Sequence, residues 1–180
     1  MIFRGRVPEV TVWRRFRSGT DGFTFSRSED DICEAHVAAN AERAVDLFYT
    51  LTEHLPPAVD VVLHDKRTGH EWIGEDVALP DVRDTIARIK VPLATYGGVE
   101  ISVYSPADQL TLTAQLELYA YARSDRWLYL LLRNGLEECD RSGDRNWRGQ
   151  PWNRNPSPVL SNAIDTAATR LPLRSLVTPA

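Results

Sequence analysis

Breakers recur so often through the centre of this chain that regular elements there must be short, and the breakers mark where each one stops. Pro56-Pro57, the Asp65-Lys66-Arg67-Thr68-Gly69 cluster, Pro80, Pro92, Gly97-Gly98 and Ser105-Pro106-Ala107-Asp108 cut up the centre of the sequence. Proline cannot continue a helix or a strand ladder, and Gly, Asp and Ser favour turns. Between these stops Val59–His64 and His70–Glu75 read as two strands, with Val59, Val61 and Leu63 sharing one face by the period of two. Val82, Ile86 and Ile89 share a helical face that starts at Pro80 or Asp81 and is expected to end at Val91, before Pro92. Val99–Tyr104 reads as a strand, and Leu110–Ala122 and Trp127–Arg133 read as a strand pair around Arg123-Ser124-Asp125-Arg126.

At the N-terminal end Val10–Phe16 and Gly22–Phe25 are β-prone runs around Ser18-Gly19-Thr20-Asp21-Gly22, which predicts a first hairpin. Ser28 followed by Glu29, Asp30 and Asp31 resembles a helix N-cap with acids in the first turn. Ile32, Ala35, Ala39, Ala41, Ala44, Val45, Phe48, Leu51 and Leu55 then keep helical spacing, predicting a helix over about 29–55. Residues 139–158 lack any period and are rich in Arg, Asn, Gly and Pro. Leu160, Ala163, Ile164, Ala167, Ala168 and Leu171 predict a last helix over about 159–171.

The resulting order, ββ-α-ββ-α-βββ-α, points to an α+β fold: a single, mostly antiparallel sheet of about five to seven strands covered by two or three helices. The order resembles that of profilin-like and roadblock or longin-type modules, and that resemblance implies a docking platform. One domain over 1–180 is expected, because 43% apolar residues, with five Trp, five Phe and six Tyr, suffice for a core without staples. Cys33 and Cys139 are 106 positions apart, match no metal or redox spacing, and are expected to be free thiols. Together with the lack of an apolar signal segment, this predicts a cytoplasmic protein, and peripheral association with a membrane complex is compatible with it.

Charge is distributed in three blocks. Residues 1–27 carry six Arg against Glu9 and Asp21, residues 28–117 carry six bases against seventeen acids, and residues 118–180 carry nine bases against six acids. An acidic middle between two basic, Trp-bearing ends suggests a polarised surface for docking on another macromolecule. In an extended Trp13-Arg14-Arg15-Phe16-Arg17, the side chains of Trp13, Arg15 and Arg17 face one way. Trp147, Arg148, Trp152 and Arg154 add a second cluster of the composition enriched at binding hot spots. These seven residues are the expected partner-binding set, aimed at an acidic surface on another protein or multi-subunit complex. A net charge of −4 argues against a dedicated nucleic-acid binder. The bias to nineteen Arg over two Lys is accounted for as well by codon composition as by function.

Catalytic motifs give little. His64 and His70 would stand opposite each other on one face if five residues connect their strands, whereas a four-residue connection pairs Asp65 with His70. Two imidazoles fall short of the ligands a zinc site needs. His36 and His54, read on one helix, would be about 27 Å apart. No Gly-x-Ser-x-Gly elbow or Walker loop occurs, and Asp81 and Asp84 fit the first turn of a helix. No cofactor and no metal are therefore expected. The primary expectation is a non-catalytic interaction module, an accessory subunit or a regulatory or neutralising partner. The alternative is a small enzyme or ligand-binding domain with a pocket near the His64/His70 hairpin.

Overall fold

Strand pairing organises this chain more than helix packing does. A computed structural model describes residues 21–140 and 157–176. The described residues form an α+β fold of one mixed nine-stranded sheet and four helices. In chain order these are β1 (Gly22–Arg27), β2 (Cys33–Ala38), α1 (Ala41–Thr52), β3 (Ala58–Asp65), β4 (His70–Ala78) and α2 (Leu79–Tyr96). There follow β5 (Val99–Tyr104), β6 (Asp108–Leu112), β7 (Leu118–Ala122), α3 (Arg126–Arg133), β8 (Glu137–Glu138), α4 (Pro158–Arg170) and β9 (Arg174–Leu176). The strands lie in the order β8-β1-β2-β7-β6-β5-β3-β4-β9, and every neighbouring pair is antiparallel except β1 with β8.

The period of two places the apolar residues on one face. Phe23, Val37, Leu118, Leu112, Ile101, Leu63 and Trp72 are cross-strand neighbours in a single row, and all belong to the buried core. The helices close over that face with Val45, Phe48 and Leu51 of α1, Val82, Ile86 and Leu93 of α2, Trp127 and Leu131 of α3, and Leu160 and Ile164 of α4. α1 packs on α2 and α2 on α4. α3 is tied to α1 by Arg43 Nη2 donating to the Asn134 carbonyl and Arg126 Nη2 donating to the His54 carbonyl. The two edge strands are only two and three residues long, and they pair with Gly22 and Phe23 of β1 and with Glu71–Ile73 of β4.

The sheet has nine strands where five to seven were expected, and four helices cover it where two or three were expected. Four readings of single elements are corrected as well. The helix expected over 29–55 is a turn, a strand and a shorter helix. Ser28 Oγ accepts the Ile32 N–H at 3.2 Å and Asp31 has φ 60°, so the Ser/Asp cluster closes a β1–β2 hairpin where a helix start was expected. Cys33, Ala35 and Val37 alternate inward on β2, and Ala39, Ala41 and Ala44 after them make the same stretch fit a helical period as well. The true N-cap is Asn40, whose side chain accepts the Arg43 N–H at 3.0 Å. Ile32 is accordingly exposed, and His36 and His54 do not share a helix.

Leu110–Ala122 is two strands, because Thr113 Oγ1 and the Thr113–Glu117 backbone pair close a turn with Leu116 at φ 64°, without the Gly or Pro that would announce it. Trp127–Arg133 is the helix α3, since its leucines are strong helix formers and Trp127 and Leu131, four apart, are both fully buried. Pro92 sits inside α2, which runs on to Tyr96 and stops where Gly97, at φ 59°, donates its N–H to the Leu93 carbonyl. The strand expected at Val10–Phe16 lies outside the described residues.

Cys33 pairs with Arg27 at one end of β1, while the Cys139 N–H bonds the Phe23 carbonyl four residues away along the same strand. That is about 13 Å of strand, well beyond the Cα separation of about 7 Å that a disulfide tolerates. Unfolding the unreduced protein and titrating thiols should therefore return two per chain. Recovery of a Cys33–Cys139 disulfide from protein with native stability would contradict the β1 register.

Candidate functional site

Because side chains alternate along every strand, a sheet with helices on one face presents a second face of its own. In β7, Leu-Tyr-Ala-Tyr-Ala, the residues Leu118, Ala120 and Ala122 turn towards the helices and Tyr119 and Tyr121 turn away. Register extends this split across the sheet. One row on the second face is Thr24, His36, Tyr119, Thr111, Ser102, Val62, Ile73 and Arg174. A parallel row is Ser26, Glu34, Tyr121, Gln109, Tyr104 and Asp60. None of Tyr104, Tyr119, Tyr121, Val62 or Ile73 joins the core, and among the described residues no helix lies over this face.

Its centre is ordered by short-range contacts. The His36 ring stacks on Tyr119 with centroids 4.0 Å apart, and Tyr119 stacks in parallel with Tyr121 at 6.2 Å. His36 is 7% exposed, and its Nε2 lies 3.3 Å from Glu117 Oε1 without the alignment of a hydrogen bond. Burial, and then the charge of the neighbouring Glu34, push the Tyr121 phenol up from its ordinary range, so it stays protonated through neutral pH. Ser102 and Thr111 bond each other at 2.9 Å, and Gln109 Nε2 donates to Thr111 at 3.0 Å. These bonds fix the rotamers between the tyrosines.

The face is acidic. Glu34, Asp60, Glu71, Glu100 and Glu117 stand on it against Lys66 and Arg174. Lys66 Nζ lies 3.4 Å from Glu100 and 3.0 Å from His64 Nδ1, and Arg174 bonds Glu75, so these cations are partly neutralised where they stand. Among the described residues, no Lys or Arg forms an ion pair with Glu34, Asp60 or Glu117.

The hairpin that carries His64 and His70 takes the four-residue connection, pairing Asp65 with His70. The two imidazoles therefore lie on opposite faces. His64 is on the acidic face near Glu71, whereas His70 stacks on Trp72 at 4.1 Å and contacts Ser175 Oγ on the helix side. They cannot act together, and no group of three or more His, Cys, Asp or Glu among the described residues is placed to hold a metal ion. A groove of about 300 Å³ lies elsewhere, between α2 and α4, lined by Thr85, Arg88, Ile89, Val159, Asn162 and Arg170. Both of its arginines are held by Asp84, and no acid–base pair converges on it.

Trp13, Arg15, Arg17, Trp147, Arg148, Trp152 and Arg154, the partner-binding set expected from the sequence, lie outside the described residues. The tyrosine face was missed, although the Leu-Tyr-Ala-Tyr-Ala alternation carries its signal. Among the described residues no helix is long and apolar enough to cross a membrane. No family model, curated protein or solved structure matches this chain.

Proposed function

We propose that this chain is a non-catalytic protein-interaction module, an accessory subunit or a regulatory or neutralising partner within a larger assembly, and that it docks through the second face of its sheet. The observation that supports this reading is a sheet face left uncovered by the described helices and set with three half-buried tyrosines among carboxylates. Tyrosine combines a large apolar area with few rotatable bonds, which suits it to hot spots.

Tyr119→Ala with Tyr121→Ala should weaken the complex by about 2 kcal/mol, roughly thirtyfold. Their rings stand outside the core, so unfolding stability should change by less than about 1 kcal/mol. Titration of the double variant against the purified partner, with denaturant unfolding alongside, checks both. The Trp/Arg residues are proposed to add a contact of opposite sign, against acidic ground on the assembly. Trp147→Ala with Trp152→Ala should then also cost about 2 kcal/mol of binding. If only the Trp pair weakens binding, docking belongs to the basic segment and the sheet face is not the site.

A further inference from the structure

The row Glu34, Tyr121, Gln109, Tyr104, Asp60 crosses five adjacent strands, so it spans about 19 Å at a strand spacing of about 4.8 Å. Carboxylates stand at both ends, tyrosines lie inside them, and an amide sits in the middle. This order suits one side chain in particular. A guanidinium stacks flat on an aromatic ring while its edge donates paired hydrogen bonds to a carboxylate, and an ammonium has no plane to stack. Cation-on-ring contacts occur within the chain itself: the Arg83 guanidinium sits 4.5 Å from the Tyr49 ring centre with Lys90 Nζ at 4.9 Å from the same ring, and Arg126 lies 4.5 Å over Trp127.

We infer that this row is an arginine-recognition strip, and that the surface docked on the sheet face is a basic, arginine-bearing surface of a partner protein. The inference rests on the docking proposal and adds its chemistry. Charge complementarity carries the choice of occupant. Nucleic acid would bring phosphates against Glu34, Asp60 and Glu117 and be repelled. A second copy docked face to face would bring together two surfaces that both carry an excess of carboxylates. An arginine-bearing surface meets two carboxylate-and-tyrosine pairs, Glu34 with Tyr121 and Asp60 with Tyr104. Of these acids, Asp60 already accepts the Asp76 N–H with one oxygen, which holds the other in place.

The test uses the full chain and fluorescein-labelled twelve-residue peptides of alternating Arg and Ser, Lys and Ser, or Glu and Ser, titrated by anisotropy at low and at physiological salt. The Arg peptide should bind, the Lys peptide about fivefold more weakly, and the Glu peptide should not bind. Tyr104→Ala with Tyr121→Ala should weaken the Arg peptide about tenfold, and Glu34→Gln with Asp60→Asn should weaken it and flatten its salt dependence. Glu42→Gln with Asp165→Asn, two acids of the helix layer, should change nothing. Equal binding of Arg and Lys peptides, or equal loss in the helix-layer variant, would overturn the strip, because net charge alone would then explain the attraction. Tighter Arg-peptide binding on Arg14→Gln, Arg15→Gln and Arg17→Gln that disappears when Tyr104→Ala and Tyr121→Ala are added would overturn it in another way, by showing that the chain's own basic segment is the occupant. If none of these peptides distinguishes the strip while the Tyr119/Tyr121 variant still loses its partner, the docking proposal stands and its arginine chemistry falls.

Discussion

Phe48→Ala is expected to cost about 3–5 kcal/mol of unfolding free energy, with an unchanged denaturant slope. Phe48 is fully buried at the centre of α1, between Ala44, Val45 and Leu51, where the helix meets both the sheet and α2. Truncation removes the transfer free energy of the ring and leaves a cavity bounded by backbone on two layers, which cannot collapse freely. The expectation is independent of where α1 begins, because Asn40 and Pro56 bracket Phe48 under either boundary. A loss below about 1 kcal/mol would remove α1 from the core.

The second large effect is expected at the β3–β4 hairpin. Asp65 and Arg67 form an ion pair whose side chains are 4% and 1% exposed, with Arg67 Nε and Nη2 donating to the carboxylate at 2.8 and 2.6 Å and the Arg67 backbone N–H adding a third bond. Burial alone would raise the Asp65 carboxyl, and the Arg67 bonds more than offset it, holding the group below the ordinary aspartate range. A depressed folded value means that its stabilising contribution is complete above the unfolded value of about 3.9 and is lost as pH falls through the folded one. Arg67→Met leaves a buried carboxylate without its cation and should cost about 3–5 kcal/mol at neutral pH.

In that variant the sign reverses. Burial then raises the Asp65 carboxyl above its unfolded value, so the penalty is largest at neutral pH and shrinks as pH falls and Asp65 protonates. Unfolding of Arg67→Met and of the unaltered chain across pH 3 to 7 should therefore give opposite Asp65 contributions. Parallel profiles would mean that the pair is not buried together.

The elements legible in the sequence were those bounded by strong punctuation. Pro56-Pro57, the Asp65–Gly69 cluster and Gly97-Gly98 bracket β3, β4, α2 and β5, and the alternation of Val59, Val61 and Leu63 set their inner face. What was hidden was ambiguous in its local residues. At Cys33–Ala38 alanine fits either period, and its neighbours Ala39, Ala41 and Ala44 completed a helical stripe that the hairpin interrupts. At Thr113–Glu117 the reversal is closed by a threonine hydroxyl and a leucine at positive φ, and at Trp127–Arg133 a short apolar run has no period to read.

The candidate site was hidden for a different reason. Charge and Trp content drew attention to the chain ends, whereas the tyrosine face exists only once β2, β7, β6, β5 and β3 lie side by side. Glu34, Tyr121 and Tyr104 are distant in sequence, and register alone aligns them. Alternation in one strand could have flagged Tyr119 and Tyr121. It could not have supplied the carboxylates beside them.

The most direct measurement of the docking claim is amide hydrogen exchange of the full chain, free and bound to its purified partner. Exchange in sheet amides reports local opening, and a partner seated on a face suppresses opening of the strands beneath it. The docking account predicts added protection centred on β2, β7, β6 and β5, the strands that carry Glu34, Tyr119, Tyr121, Gln109 and Tyr104, with α2 and α4 unchanged. Added protection confined to the α2–α4 groove or to 139–158, with those four strands unchanged, would contradict it.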